Sequence, residues 1–236
     1  MEEGEFDKFA EEYWALHAAN IAISGESPEY FSEYKIKDLK DLAIRYLARR
    51  DKDVVAPAIL DFGAGIGNSV PFIRKHLPSA QLTCLDVSSK SLAIGQARYR
   101  DYARFVQFDG GRIPFADHSF TVVLAACVFH HIGHDEHLNL LREFRRVLAP
   151  GGFAFIYEHN PYNPVAAHVV KTCPFDENAR LISARAMRGL MRSAGFSSVK
   201  VRYRVFFPHS LRALRSLEQK ISWLPLGAQY YALAFR

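Results

Sequence analysis

At 236 residues the chain has the length of one domain with at most a small insertion or lid, enough to bury a substantial core. Apolar residues at 49% and charged residues at 23% are ordinary for a globular protein, and no apolar run nears the ~20 residues of a membrane span. The net charge of +5 is uneven: residues 176–236 hold eleven Lys and Arg against three Asp and Glu, a surplus that fits a solvated basic surface or an acidic partner such as nucleic acid.

The N-terminus, M-E-E-G-E-F-D, is acidic and lacks the basic-then-apolar layout of a signal peptide. Cys84, Cys127 and Cys173 are widely spaced in apolar surroundings, which predicts reduced core thiols in a cytoplasmic protein, with neither a disulfide framework nor a metal site.

Residues 5–19 place Phe6, Phe9, Tyr13 and Leu16 at helical spacing. After the turn-prone Ser24-Gly25-Glu26-Ser27-Pro28, a second helix is expected from about Glu29 to Arg50. Ser27-Pro28 supplies its cap and first turn, and Phe31, Tyr34, Ile36, Leu39, Leu42, Ala43 and Tyr46 its apolar side. Both helices precede the first strand, so residues 1–52 read as an N-terminal helical cap or lid on a domain spanning 53–236. They either cover its ligand edge or pack on the sheet flank.

From residue 53 strands and helices alternate. The stretch I-L-D-F-G-A-G-I-G (59–67) reads as a buried strand that stops at Asp61 and turns through Gly63, Gly65 and Gly67 into a helix over 67–77. Glycines at this spacing permit positive φ and let a ligand sit against bare backbone. Strand two covers Gln81 to Asp86, a helix 89–101, and strand three Phe105 to Phe108 before Asp109-Gly110. Strand four, Phe120 to Cys127, is an unbroken apolar run fit for burial on both faces. A helix from His134 to Leu148 closes at Pro150-Gly151-Gly152, and strand five runs from Phe153 to Tyr157. The N-P-Y-N-P stretch (160–164) looks too proline-rich for a simple helix start, and 165–181 is partly helical. A helix over 183–194, strand six (Ser198 to Phe207), a basic helical stretch (209–221) and strand seven (Gln229 to Phe235) complete the chain. This alternation predicts an α/β fold with a mostly parallel sheet and helices on both faces.

In such sheets ligands sit beyond the carboxyl ends of the strands, where the strand order reverses. Four strand ends carry suitable groups: Asp61 with the glycine turn, Asp86, Asp109-Gly110, and the Ala126-to-His131 segment. Here the chain resembles the class I S-adenosylmethionine-dependent methyltransferases, over roughly residues 55 to 236. The resemblance rests on D-F-G-A-G-I-G, L-D-V-S (85–88), F-D-G (108–110), I-P-F-A-D-H-S-F-T-V-V (113–123) and L-R-E-F-R-R-V-L-A-P-G-G (141–152). It implies a Rossmann-like seven-stranded sheet in the order 3-2-1-4-5-7-6, with the last strand antiparallel. The nearest competitor, a nicotinamide-dependent dehydrogenase, carries G-x-G-x-x-G over a pyrophosphate. Here the triplet is G-x-G-x-G, and Asp61 would repel a pyrophosphate but suits the α-amino group of S-adenosyl-L-methionine.

By the same resemblance, Asp61 holds the methionine amino group, while Gly63, Ala64, Gly65 and Gly67 form the backbone cradle. Asp86 holds the ribose hydroxyls, Val87 packs on adenine, Asp109 and Gly110 contact its edge, and Ala126 touches the methionyl part. The acceptor should arrive beyond strand four, where His131, then His130, are candidate bases because an unperturbed imidazole titrates near neutrality. Glu158 and His159, with Asn160, form a second group. Tyr13, Tyr34 and Lys35 are candidates to close over the cofactor. N-P-Y-N-P superficially resembles the N-P-P-Y of amino-directed DNA methyltransferases, yet that motif follows strand four and this one follows strand five. A small-molecule acceptor, such as a metabolite, sugar derivative, lipid or natural product, is therefore expected. An RNA methyltransferase using the basic C-terminal quarter and a cofactor-binding protein without catalysis are the alternatives.

Overall fold

In the computed structural model, residues 13–47 and 56–236 are described. Phe6, Phe9, the side chains of Tyr13 and Trp14, the end of the second expected helix and the run from Asp53 to Val55 lie outside them. Two helices come first, α1 (Tyr13–Ile21) and α2 (Pro28–Tyr46). A seven-stranded sheet follows, of β1 (Ala58–Phe62), β2 (Gln81–Asp86), β3 (Arg104–Gln107), β4 (Phe120–Ala126), β5 (Leu148–His159), β6 (Ser197–Arg204) and β7 (Gln229–Phe235). Its order is β3-β2-β1-β4-β5-β7-β6, parallel except that β7 runs antiparallel to both β5 and β6.

The expected elements form, with shifted ends that have local causes. Gly67, at φ +81°, cannot belong to a right-handed helix, so α3 (Val70–His76) starts after the glycine turn and not at 67. α4 (Ser89–Tyr99) is capped by Ser88, whose hydroxyl accepts from Ser91 N at 3.0 Å. α5 (His137–Val147) begins three residues late because residues 134–136 form a turn, with Glu136 N donating to Gly133 O at 3.0 Å. β6 stops at Arg204 because Val205 takes a positive φ of 62°.

Two expectations need correction. Pro150-Gly151-Gly152 does not separate α5 from the next strand. β5 already begins at Leu148, paired with Phe120, and a bulge carries the register to Val122–Phe153. Gly152 permits this, since a Cβ there would lie 2.7 Å from Thr121 O. Second, N-P-Y-N-P does start a helix. Asn163 caps α6 (Pro164–Thr172) by accepting from Ala166 N at 2.9 Å, and Pro164 stands in the first turn, where its missing N–H costs nothing. α7 (Ala184–Ser193) and the short α8 (Glu218–Ile221) complete the helices.

One apolar cluster joins α5 and α7 to one face of the sheet. The opposite cluster contains Ile36, Leu39, Leu42 and Ala43 of α2 against Ile59, Val122, Phe155 and Leu233. α2 is also tied down by charge: Asp38 accepts from Arg204 Nε (2.8 Å), Arg204 Nη2 (2.7 Å) and Tyr157 Oη (2.6 Å). Most of α2 therefore lies on the sheet flank, and only its first turns reach the carboxyl edge.

Candidate functional site

A cavity of about 430 Å³ opens at the carboxyl ends of β1, β2, β4 and β5, within the size range of small-molecule sites. At its β1 end the chain passes through Gly63 (φ +71°) and Gly65 (φ +53°). The amides of this turn are already committed. Gly63 N and Ala64 N donate to Leu85 O (2.8 and 3.2 Å), and Gly65 N donates to Asp86 Oδ2 (2.7 Å). The turn is thus no nest of amides for a phosphate; it offers carbonyls and space. A Cβ on Gly63 would meet Val128 Cγ2 at 2.5 Å, so that glycine lets the β4 loop pack close. A Cβ on Gly65 would meet nothing within 4 Å and would project into open space where a ligand could lie.

Asp61 is only 3% exposed, and its carboxylate accepts from the Ser69 hydroxyl. Burial pushes its pKa up to about 7, the Ser69 bond opposes this, and the charge of Asp86 adds to it. Two carboxylates therefore flank the glycine turn, with the Lys35 charge opposing the rise at Asp61. A cationic α-amino group would suit the buried Asp61 carboxylate, and Asp86, which accepts from Gly65 N and from Ser88 N (2.9 Å), is a carboxylate of the kind that takes hydroxyls. On these grounds the residues fit S-adenosylmethionine.

Not every expected donor contact borders the cavity. Asp61, Gly63, Ala64, Gly65, Asp86 and Ala126 do. Gly67 serves the turn, its would-be Cβ 3.1 Å from the Tyr99 ring. Val87 is buried in the core cluster and does not line the cavity. Asp109 and Gly110 are exposed away from the cavity, with Asp109 Oδ1 accepting from Gly111 N at 2.9 Å. Ile66, Asn68 and Ser91, which no motif signalled, also line the cavity.

The acceptor end is built from the ends of β4 and β5. Glu158 is fully buried and used up structurally: Oε1 accepts from Val128 N (3.0 Å) and Phe129 N (2.7 Å), and Oε2 pairs with His130 Nδ1 (2.7 Å). Burial alone would lower the His130 pKa, but the charges of Glu158 and Asp176 outweigh it and raise it to about 10. Both candidate bases are thus held in one another's bonds and in those of Asp176 and the β4 loop amides. His131 borders the cavity with Nε2 3.2 Å from Asp176 Oδ1; burial lowers its pKa, with Asp176 opposing. His159 also borders the cavity, its ring 5.3 Å from that of His130. Asn160 is structural, donating to Pro225 O and Gly227 O (3.1 and 2.8 Å).

Residues outside any motif complete this end. Asp176, from the C-P-F-D stretch, faces both histidines, and His17 of α1 reaches the cavity with burial holding its pKa at about 4. Cys127 is no inert core thiol. Its φ is +61° and its sulfur accepts from Lys35 Nζ at 3.3 Å. Burial would raise its pKa, but Lys35 and His159 outweigh that and bring it down to about 7. Lys35 thus reaches the cavity as anticipated, whereas Tyr34 turns away to Glu218. His130, His131 and Asp176 bring one ligand atom each within 4.8 Å of one another, a set able to hold a metal ion.

Residues 60–156 match the family model of a methyltransferase domain. The chain is 38% identical over 113 residues to a demethylmenaquinone methyltransferase of Chlorobaculum parvum, covering 46% of this chain and 44% of that protein. It therefore spans less than half the length of that curated relative. Among solved structures, a methyltransferase of Thermotoga maritima described as a possible histamine N-methyltransferase superposes over 99% of both chains, with a TM-score of 0.65 at 18% identity. The methyltransferase CalH, solved with SAH, superposes over 88% of this chain and 58% of its own, with a TM-score of 0.63 at 20% identity. Strand order and these likenesses show that the chain has the fold of the class I S-adenosylmethionine-dependent methyltransferases, and residues 60–156 match their methyltransferase-domain model.

Proposed function

We propose that the protein transfers a methyl group from S-adenosyl-L-methionine to a small molecule bound between α1, α6 and the ends of β4 and β5. The observation that carries this reading is the continuity of one cavity from the Asp61–Gly65–Asp86 cradle to His131, Cys127 and His159. The donor supplies an electrophilic methyl on sulfur. Asp61 would hold its α-amino group, Asp86 its ribose hydroxyls, and the carbonyls of the glycine turn its methionyl part. On the acceptor side the walls are mixed: Phe31, Ile23, Val165 and Phe207 supply apolar surface, while His17, Lys35, His131 and His159 supply polar contacts. This mixture supports an acceptor with an apolar body and a polar reacting end, and the named activity of the Chlorobaculum relative on a quinone is of that kind.

α1 and the first turns of α2 act as the lid in this reading, because His17, Phe31 and Lys35 close the acceptor side. The basic C-terminal quarter supports the small-molecule reading over RNA, since part of its charge is spent internally. Arg204 pairs with Asp38, Arg215 with Glu26, and Arg236 donates to the carbonyl of Arg146. Among the described residues no helix is long and apolar enough to cross a membrane. Cys84, Cys127 and Cys173 form no disulfide, which supports a reducing, cytoplasmic setting.

The test is an acceptor screen with methyl-labelled donor, spanning quinols, phenols, polar-headed lipids and amines, with short RNAs as a separate arm. Label should pass to an amphipathic small molecule and not to RNA. Transfer to RNA alone would replace the small-molecule reading.

A further inference from the structure

We propose that His130, His131 and Asp176 form a mononuclear site for a divalent transition-metal ion, with an open position facing the methyl acceptor. The proposal rests on the acceptor end lying where the previous section puts it. It adds a ligand that neither the fold nor the motifs call for.

The first observation is geometric. His131 Nε2 stands 3.2 Å and His130 Nε2 3.6 Å from Asp176 Oδ1, and the three residues have ligand atoms within 4.8 Å of one another. Ligands bound to zinc at about 2.0–2.1 Å in a tetrahedral arrangement lie about 3.3–3.5 Å apart. The set therefore needs only small adjustments to close on an ion.

A second, independent observation comes from hydrogen bonding. Asp176 is 92% buried, being 8% exposed, yet its Oδ1 has no aligned hydrogen-bond partner. Among the described residues that oxygen is met only by the two imidazole nitrogens at 3.2 and 3.6 Å, so an ion entering the cluster would take over the contacts it now makes to them.

The support behind His130 points the same way. Its Nδ1 is held by Glu158 Oε2 at 2.7 Å, and Glu158 is itself fixed by the amides of Val128 and Phe129. Metal-binding imidazoles commonly give their second nitrogen to a carboxylate, which fixes the ring and turns the first nitrogen toward the ion. Here that leaves Nε2 aimed at Asp176, and an ion binding there would release the Nε2 proton to solvent. Two imidazoles and one carboxylate suit zinc, ferrous iron or cobalt better than calcium or magnesium, which prefer oxygen ligands. All three residues border the cavity, so an ion held by them would have a position open to an acceptor oxygen or nitrogen. Its use would be to orient the acceptor.

The test uses the untagged full chain, stripped by chelator and dialysed. Calorimetric titration with Zn²⁺ should give one ion per chain, and Co²⁺ should give the visible absorption bands of a low-coordinate imidazole site. Asp176→Asn preserves size and should cut Zn²⁺ affinity at least tenfold, and His131→Ala should do the same. The Co²⁺ spectrum of the unmodified chain reports on the site even if a variant fails to fold. No stoichiometric ion in the unmodified chain, or unchanged affinity in both folded variants, would overturn the site. Titration of the same samples with S-adenosylhomocysteine separates the two readings. A chain that binds it but no metal loses only this site, whereas one that binds metal but not the nucleoside loses the methyltransferase reading.

Discussion

Asp61 is the residue on which the proposed donor recognition turns, because it is a buried carboxylate with its pKa pushed up to about 7. A carboxylate raised in the folded state costs stability as pH rises from its unfolded value, near 4, through about 7. The empty chain is therefore penalised above neutrality, and a cation bound beside Asp61 removes the penalty. Affinity for S-adenosylhomocysteine should accordingly rise as pH increases from about 6 to 8. Asp61→Asn should abolish that dependence, weaken binding at pH 8 at least tenfold, and raise the melting temperature of the empty chain. A pH-independent affinity in the unmodified chain would contradict this role. At the same scale the sequence already showed Asp61 and Asp86, since both stand at strand ends in order. It could not show that Glu158 and His130 satisfy each other, because that pairing needs β4 and β5 side by side. Nor could it show Asp176, whose C-P-F-D loop reaches the histidines only through the fold, with no spacing rule to reveal it.

α2 is the element that joins the scaffold to the site. Its apolar stripe is buried on the sheet, Asp38 anchors it to Arg204 and Tyr157, and one turn earlier Lys35 meets Cys127. Both partners of the ion pair are largely buried, so removing one leaves a stranded charge, which costs about 3–5 kcal/mol. Asp38→Ala should lower stability by about that amount in urea unfolding. Arg204→Met in the same background should recover part of it. An unchanged unfolding midpoint for Asp38→Ala would show that α2 is held by its apolar face alone. The helical pattern of α2 was readable from its periodicity, and so was its cap. Its double role was not, because period reports which face is apolar and says nothing about what each end touches. The Asn163 cap was readable too: Asn before Pro is a helix start, and the density of prolines in N-P-Y-N-P obscured it.

Across the whole molecule, the sheet order followed from the alternation of strands and helices together with the family resemblance, and it positions the site. Order reverses at β1, between β2 and β4, so the β1 turn stands where helices diverge and a cleft opens. The strand runs were clear because buried parallel strands are continuously apolar. Their ends were less clear, because positive φ at Gly67 and Val205 and the bulge before Phe153 are tertiary outcomes. The same holds for Val87 and Asp109, which stand at the expected positions in sequence but do not line the cavity.

The central claim is that the strand-end cavity binds the methyl donor, and calorimetry with S-adenosylhomocysteine at pH 8 tests it most directly. The account predicts one saturable site per chain with a dissociation constant below about 1 mM, lost on Asp86→Ala. No saturable binding by the folded chain at millimolar concentration would contradict it.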